Sequence, residues 1–158
     1  NRLDALLELI SYNDNKVIIW ANYVHNIKAI KEVLEKTYGG GSVVSYYGST
    51  GLDDRKQAIE LFQSQESDVR FFVGNQMTAG YGITLTSANN VIYYSNSFDL
   101  EKRLQSEDRA HRIGQNDKVT YYDLTVKDTI DEKIVKTLCA KLDLAQQVLG
   151  DGFQSWLN

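Results

Sequence analysis

Hydrophobic residues along this chain fall into short runs that alternate with longer stretches in which apolar positions recur every three or four residues. The run KVIIWA at 16–21 has the length of a buried strand, and similar runs follow it. The intervening stretches have the spacing of a helix that buries one face. This alternation predicts strand–helix units around a mainly parallel sheet. The expected strands are 16–21, 42–47, 69–74, 90–95 and 118–126, and the expected helices are 3–10, 24–37, 53–63, 100–112 and 129–149.

Length and composition indicate an ordinary globular protein. The 158 residues suit a single domain, and 42% of them are hydrophobic while 24% are charged, as is typical of folded domains. Because the sequence has no run of 18 apolar residues and its first ten positions include charges, we expect neither a membrane span nor a signal peptide. The single cysteine excludes an internal disulfide. We therefore expect an intracellular protein, located in the cytoplasm, the nucleoid or the nucleus.

The net charge changes the expected mode of any nucleic-acid binding. At −4 it has the wrong sign for a protein that coats nucleic acid by charge alone. Amides and hydroxyls also bind backbone phosphates, so one wall of a composite binding site stays compatible with this charge. His25 and His111 have no partner at the spacing of metal ligands, and we expect no protein-bound metal.

The segment QSEDRAHRIGQ, residues 105–115, carries the first candidate chemistry. Arg109 and Arg112 are three residues apart, and on the expected helix they share a face. A guanidinium is a permanently charged planar group that suits phosphate oxygens, so the pair predicts a site for a triphosphate or its transition state. The alternative is a solvated helix on which the arginines pair with Glu107 and Asp108.

A glycine-containing loop at 78–89, TAGYGITLTSAN, is the second candidate. Gly80 and Gly82 permit tight turns and the close approach of a phosphate, and Thr86 contributes a hydroxyl. The alternative is an ordinary turn between two strands.

The turn GSTG at 48–51 is the third candidate, because Ser49 and Thr50 precede an expected helix. Hydroxyls and free amides at a helix start can bind one backbone phosphate, while helix capping is the alternative. For Arg55 two interpretations are open, a contact with nucleic acid or an ion pair with a neighbouring aspartate, Asp53 or Asp54.

Together these segments resemble a known family. QSEDRAHRIGQ closely resembles motif VI of the Swi/Snf-type branch of superfamily-two helicases and translocases, TAGYGITLTSAN resembles motif V, and YYGSTGLDDRKQAIELF resembles the segment in which a GST turn precedes a helix. KVIIWANYVHNI matches motif IV in placement. The resemblance covers 16–149 and implies a three-layer α/β RecA-like fold with a central, mainly parallel sheet. Residues 1–158 would form one domain, the second of two motor lobes, with 128–158 as its C-terminal bracing helix and tail.

The resemblance also implies residue roles. Arg109 and Arg112 would act as arginine fingers on ATP, and Gln105 would help to sense the γ-phosphate. Contacts that support the nucleotide site are implied for Gly80, Gly82, Asp108 and Gln115, with His111 as a further supporting residue. Contacts with DNA are implied for Ser49, Thr50, Arg55 and Thr86.

Two motifs of a complete ATPase are absent from the sequence. It contains neither the phosphate-cradling pattern GxxxxGK[ST] nor an acidic DExH box. We therefore expect an N-terminal RecA-like lobe of the same polypeptide to hold ATP and Mg²⁺, and this lobe alone to be inactive. The expected partner is double-stranded DNA. Two alternatives are a lobe of an RNA or single-strand helicase and a non-catalytic module that binds nucleic acid or regulates another protein.

Overall fold

A computed structural model describes residues 1–12, 14–78 and 82–150 of the chain. These residues contain five helices and five strands in the order that the hydrophobic pattern predicts, with two of the strands in direct succession. The helices are α1 Arg2–Ser11, α2 Val24–Tyr38, α3 Leu52–Gln63, α4 Leu100–Glu107 and α5 Ile130–Leu149. The strands are β1 Val17–Trp20, β2 Val43–Tyr46, β3 Phe71–Gly74, β4 Asn90–Tyr93 and β5 Thr120–Asp123.

The five strands form one sheet in the order β2-β3-β1-β4-β5, and all four pairings are parallel. Central strand β1 is paired on both sides, with Val17 opposite Phe71 of β3 and Asn90 of β4. Every residue of β1 and β3 is buried. Continuous burial is what a parallel sheet with both faces covered requires, so the predicted α/β fold with a parallel sheet is confirmed.

Two hydrophobic clusters lie on opposite faces of this sheet. Alternate residues of β1 face each of them, since successive strand side chains point to opposite faces. Val17 and Ile19 belong to the cluster that α1 and α2 cover, and Ile18 and Trp20 belong to the one that α3 covers. The second cluster also includes residues without regular secondary structure, namely Ile83, Leu85, Ala88 and Ala110.

Helix α5 extends beyond the sheet and buries only two side chains, Ile134 and Leu138, of the predicted apolar stripe. Ile130 is exposed. A salt bridge between Arg2 and Asp131 joins the start of α5 to α1. The predicted tail at 151–158 lies outside the described residues. Among the described helices, none is long and apolar enough to cross a membrane.

The predicted helix 100–112 is wrong at its end, because α4 stops at Glu107 and residues 108–114 form turns. The reason is tertiary packing. Ala110 is fully buried against the sheet, and the carbonyl oxygen of Arg109 accepts a hydrogen bond of 2.8 Å from the backbone nitrogen of Leu85. Both contacts would be lost if the helix continued, so the argument that Arg109 and Arg112 share a helix face does not hold.

Gly74, the last residue of β3, has no room for a side chain. A Cβ at this position would lie 2.9 Å from the ring of Trp20 and 3.2 Å from the carbonyl oxygen of Tyr46. We expect Gly74→Ala to lower the free energy of unfolding by about 1–3 kcal/mol, as overpacking of a core does. Urea unfolding of the chain measures this. Gly40→Ala is the control, because a Cβ there meets no atom within 4 Å, and an equal loss in both variants would contradict the packing argument.

Candidate functional site

The candidate site centres on residues 108–115, here called the arginine turn, which follow α4 directly. The carbonyl oxygen of Glu107, the last helical residue, accepts hydrogen bonds from the backbone nitrogens of Ala110 and His111 over 3.1 and 3.0 Å. These bonds reverse the chain within three residues. Ala110 points into the core while its neighbours Arg109 and His111 stay at the surface or half-buried. Ala110 therefore fixes the turn to the core, and the side chains of Arg109 and His111 lie toward the surface.

A groove of about 890 Å³ lies along the arginine turn, between the end of α4 and strand β5. Arg109 and Arg112 both line it, together with Gln105 from the last turns of α4. The other lining residues are Leu104, Glu107, Asp108, His111, Ile113, Asp117, Lys118, Val119 and Tyr121. The structure thus brings the predicted catalytic residues together, although by a turn and not by a helix face.

Arg109 is half-buried without full compensation of its charge. Its Nε atom is buried and has no hydrogen-bond partner within the described residues. Burial, and then the charge of Arg112, lower the pKa of the Arg109 guanidinium, while Asp108 and Tyr46 act in the opposite direction. Two cations held near each other in a partly dry site favour a bound anion, since an anion relieves both effects.

Asp108 is the carboxylate nearest to this pair in sequence. Burial raises its pKa more than the charges of Arg109, His111 and Arg112 lower it. Neither Arg109 nor Arg112 forms a salt bridge among the described residues. The interpretation in which both arginines pair with neighbouring acids is therefore not what the structure shows.

Arg112 reaches across to residues 82–88, here called the threonine segment. Its Nη1 atom donates to the carbonyl oxygen of Gly82 over 3.2 Å and to Thr84 Oγ1 over 3.3 Å. Gly82 has a φ of 69°, a conformation that favours glycine. Gly82 thus contacts Arg112, while its contact with a nucleotide stays a prediction. Gly80 lies outside the described residues.

The two predicted glutamines occupy different environments. Gln105 donates from Nε2 to Glu101 Oε1 one helical turn earlier, over 3.0 Å, and remains at the groove. Gln115 instead donates from Nε2 to the carbonyl oxygens of Thr86 and Ala88, over 3.0 and 2.8 Å. The Gln115 amide therefore fastens the arginine turn to the threonine segment.

Thr86 lies apart from the other predicted DNA contacts. A loop between two parallel strands starts at the carboxyl end of the sheet and returns to its amino end, so the threonine segment leads to the amino end, where β4 starts at Asn90. The Thr86 hydroxyl accepts a hydrogen bond of 3.2 Å from Gln63 Nε2 at the end of α3. Since α3 has 12 residues, its two ends are about 18 Å apart at 1.5 Å per residue.

The GSTG turn lies at the other end of α3. Ser49 is exposed, and its hydroxyl makes no hydrogen bond within the described part of the chain. Thr50 Oγ1 accepts from the backbone nitrogen of Tyr47 over 3.3 Å. Arg55 Nη2 donates to the carbonyl oxygens of Tyr47 and Gly48, over 3.2 and 2.7 Å. Arg55 therefore shapes the turn, and the salt bridges of the described residues include none between it and Asp53 or Asp54.

Sequence reasoning missed Arg103, a mostly buried cation on α4. Its Nε donates to Glu107 Oε1 over 2.6 Å and its Nη1 to Asp123 Oδ1 of β5 over 2.5 Å. The guanidinium also lies 3.5 Å from the ring centroid of Tyr93. The i,i+4 spacing of Arg103 and Glu107 was a signal for half of this network. Asp123 could not be found that way, because only the sheet brings it close.

Comparison with known proteins agrees with this geometry. Residues 1–114 match the family described as the helicase conserved C-terminal domain. The chain is 34% identical to the ATP-dependent helicase fft3 of Schizosaccharomyces pombe over 150 residues. This match covers 95% of this chain and 16% of that protein. Over 151 residues it is 33% identical to the chromatin-remodeling ATPase INO80 of Neurospora crassa, covering 96% of this chain and 7% of that protein.

A solved structure shows the same fold. The crystal structure of the C-terminal part of the Fun30 ATPase domain matches with a TM-score of 0.78 and 33% identity, over 87% of this chain and 44% of that chain. The parallel sheet and these matches define the C-terminal RecA-like lobe of a helicase. The chain belongs to the helicase C-terminal domain family, in its Swi/Snf-type branch.

The buried phenol of Tyr93 should limit the stability of the fold at alkaline pH. Its hydroxyl is buried and lies 2.8 Å from Ser106 Oγ, and burial raises the pKa of Tyr93 well above its ordinary value. Between pH 10 and the raised pKa the unfolded chain loses this proton and the folded chain keeps it. Stability should then fall by about 1.4 kcal/mol per pH unit for such a group.

We expect Tyr93→Phe to cost about 1 kcal/mol at pH 8, because one hydrogen bond is lost. Above pH 10 its stability should fall less steeply than that of the wild type. Urea unfolding from pH 8 to 11 measures both slopes. Tyr12→Phe, at an exposed tyrosine directly after α1, serves as the control. Parallel curves for wild type and Tyr93→Phe would show that Tyr93 does not set the limit.

Proposed function

We propose that this chain is the second motor lobe of an ATP-dependent translocase on double-stranded DNA. The observation that carries the proposal is the arginine turn, where Arg109 and Arg112 line one groove without salt bridges among the described residues. The first lobe, in the same polypeptide, would hold ATP and Mg²⁺ and face this groove. The chain spans 16% and 7% of the two relatives named above, so the activity belongs to the longer protein.

The groove fits a polyphosphate better than a neutral ligand. Arg109 has a buried Nε without a partner within the described residues, and burial, followed by the like charge of Arg112, lowers the pKa of its guanidinium. Phosphoryl transfer places negative charge on the oxygens of the transferring group. A guanidinium fixed beforehand next to those oxygens stabilises that charge without reorganisation, and arginine fingers contribute roughly 10³–10⁵ in rate.

The neighbouring residues divide into groups that face the nucleotide and groups that position the arginines. Gln105 and His111 line the groove and are proposed to contact phosphate oxygens or water around them. Asp108 is proposed to limit the repulsion between the two arginines. Gln115 and Gly82 are proposed to act through the arginine turn, because their polar groups already bind chain atoms. Gly80 is proposed to approach the nucleotide by family resemblance alone.

Contacts with DNA are proposed at the GSTG turn. The free Ser49 hydroxyl and the backbone of Thr50, at the N-terminal end of α3, suit one backbone phosphate. Arg55 supports this contact by holding the turn. Thr86, about one helix length away, is proposed to contact a different phosphate or to act through Gln63. Repeated closing and opening of the two lobes would move these phosphate contacts along the duplex.

The names of the relatives favour duplex DNA as the track. They include a chromatin-remodeling ATPase and an ATP-dependent helicase, and chromatin contains double-stranded DNA. We therefore place the protein in an intracellular compartment that holds DNA, the nucleus or the nucleoid. Stimulation of ATP turnover by RNA but not by duplex DNA would favour the RNA helicase alternative.

Arg112→Ala in the full-length protein should abolish DNA-stimulated ATP turnover and leave DNA binding largely intact, because it removes a charge that only the transition state needs. Steady-state ATP hydrolysis with and without duplex DNA measures this. Lys118→Ala is the matched control, since it removes a cation from the same groove and should have a small effect. Near-wild-type turnover by Arg112→Ala would remove this residue from the mechanism. The isolated chain should hydrolyse no ATP.

Ser49→Ala in the same protein should raise the DNA concentration that half-maximally stimulates ATP turnover about tenfold, the loss that one hydrogen bond to a charged phosphate corresponds to. Maximal turnover at saturating DNA should not change. Titration of duplex DNA against ATPase rate measures both quantities. Ser67→Ala, in the loop between α3 and β3, is the control. An unchanged DNA requirement in Ser49→Ala would place the phosphate contact elsewhere.

A further inference from the structure

Helix α3 joins two parts of the lobe that have different tasks in the proposed function. It begins directly after the GSTG turn and ends at Gln63, beside the threonine segment. At its first end, Arg55 ties the helix to the turn through two backbone carbonyl oxygens. A rigid element of this kind carries a displacement of the turn to its other end.

Both the nitrogen and the oxygen of the Gln63 side-chain amide form hydrogen bonds with the threonine segment. Its Nε2 donates to Thr86 Oγ1 over 3.2 Å. Its Oε1 accepts from the backbone nitrogen of Ser87 over 3.0 Å and from the Ser87 hydroxyl over 2.7 Å. Three hydrogen bonds to two consecutive residues fix both the distance and the angle between the helix and the segment.

The other side of the same segment is fastened to the arginine turn. Gln115 Nε2 donates to the carbonyl oxygens of Thr86 and Ala88, and the backbone nitrogen of Leu85 donates to the carbonyl oxygen of Arg109. Thr86 is therefore held from both directions, by Gln63 through its hydroxyl and by Gln115 through its carbonyl oxygen. A continuous series of hydrogen bonds leads from the end of α3 to the arginines.

We propose that Gln63 is a positioning residue that couples the DNA-binding turn to the arginine turn, an inference that rests on the proposed function. With the connection from Gln63 through Thr86 to Gln115 intact, the two regions move as one body. A duplex held at the GSTG turn then sets the position of the arginines. Without the connection, the end of α3 is held to the threonine segment only by core packing and by the Ser87 hydroxyl, which donates to the carbonyl oxygen of Phe62 over 2.9 Å. The helix and the segment are then less closely fixed to each other, and the arginine turn keeps its own packing but follows the DNA less closely.

A purely structural role for Gln63 has a different consequence. It would lower the stability of the lobe and reduce ATP turnover with and without DNA in the same proportion. Coupling affects only the response to DNA. The ratio of stimulated to basal turnover therefore distinguishes the two roles, and the midpoint of thermal unfolding gives an independent measure of stability.

The test uses Gln63→Glu and Gln63→Ala in the full-length protein. Gln63→Glu keeps an acceptor for Ser87, and its carboxylate can accept a hydrogen bond from the Thr86 hydroxyl, so we expect it to retain basal turnover and most of the stimulation by duplex DNA. Gln63→Ala removes all three bonds. For Gln63→Ala we expect basal ATP turnover at the wild-type rate and stimulation reduced about fivefold or more, since one neutral hydrogen bond corresponds to about fivefold. Gln57→Ala, at an exposed glutamine of the same helix, is the matched control and should keep full stimulation.

Wild-type stimulation in Gln63→Ala would overturn the proposal. So would a fall in basal turnover that parallels the fall in stimulation. The proposed function fails by different results, either no stimulation of the wild type by duplex DNA or full turnover by Arg112→Ala. The coupling role fails separately, in a motor that passes both of those tests.

Discussion

The arrangement of the site depends on how the polar backbone of the threonine segment is satisfied. Ile83, Leu85 and Ala88 of this segment are buried in the core, yet the segment has neither helix nor sheet hydrogen bonds of its own. Buried backbone groups need partners, and here other parts of the chain supply them. The Gln115 amide and the Arg109 carbonyl oxygen form hydrogen bonds with one side of the segment. Gln63 forms hydrogen bonds with the other side. Because the arginine turn supplies hydrogen-bond partners to this segment, α4 ends early and the arginines lie at the groove.

The electrostatics of the groove follow from that placement. Glu107, which sequence spacing offered as a partner for the arginines, is engaged by Arg103 over 2.6 Å. Asp108 is partly desolvated and holds its charge less readily than an exposed aspartate, as its raised pKa indicates. Among the described residues, Arg109 and Arg112 thus form no salt bridge on the side that the proposed nucleotide would approach. The ion pairs of Arg103 occupy the carboxylates of Glu107 and Asp123, so neither acid forms a salt bridge with Arg109 or Arg112.

Most of the fold could be predicted from the sequence, and the site only in part. Each of the ten described elements overlaps a predicted strand or helix, since apolar periodicity reports directly on which residues a strand or helix buries. The end of α4 could not be predicted, because residues 108–112 have no local signal that opposes a helix. The contact of Gln63 with Thr86 and that of Arg103 with Asp123 could not be predicted either. Their partners Thr86 and Asp123 are 23 and 20 residues away and meet them only in the folded chain.

The sequence by itself determined the alternation of strands and helices, the family and the residue types at the groove. Local spacing and composition carry that information, since each element buries its own apolar face. Only the tertiary structure decided which polar groups remain available for a ligand. It assigned Gln115 and Arg55 to backbone carbonyl oxygens, separated Thr86 from Ser49 by the length of α3, and left Arg109 and Arg112 without acidic partners among the described residues. Hydrogen-bond partners compete in three dimensions, and the outcome depends on contacts between residues that are distant in the sequence.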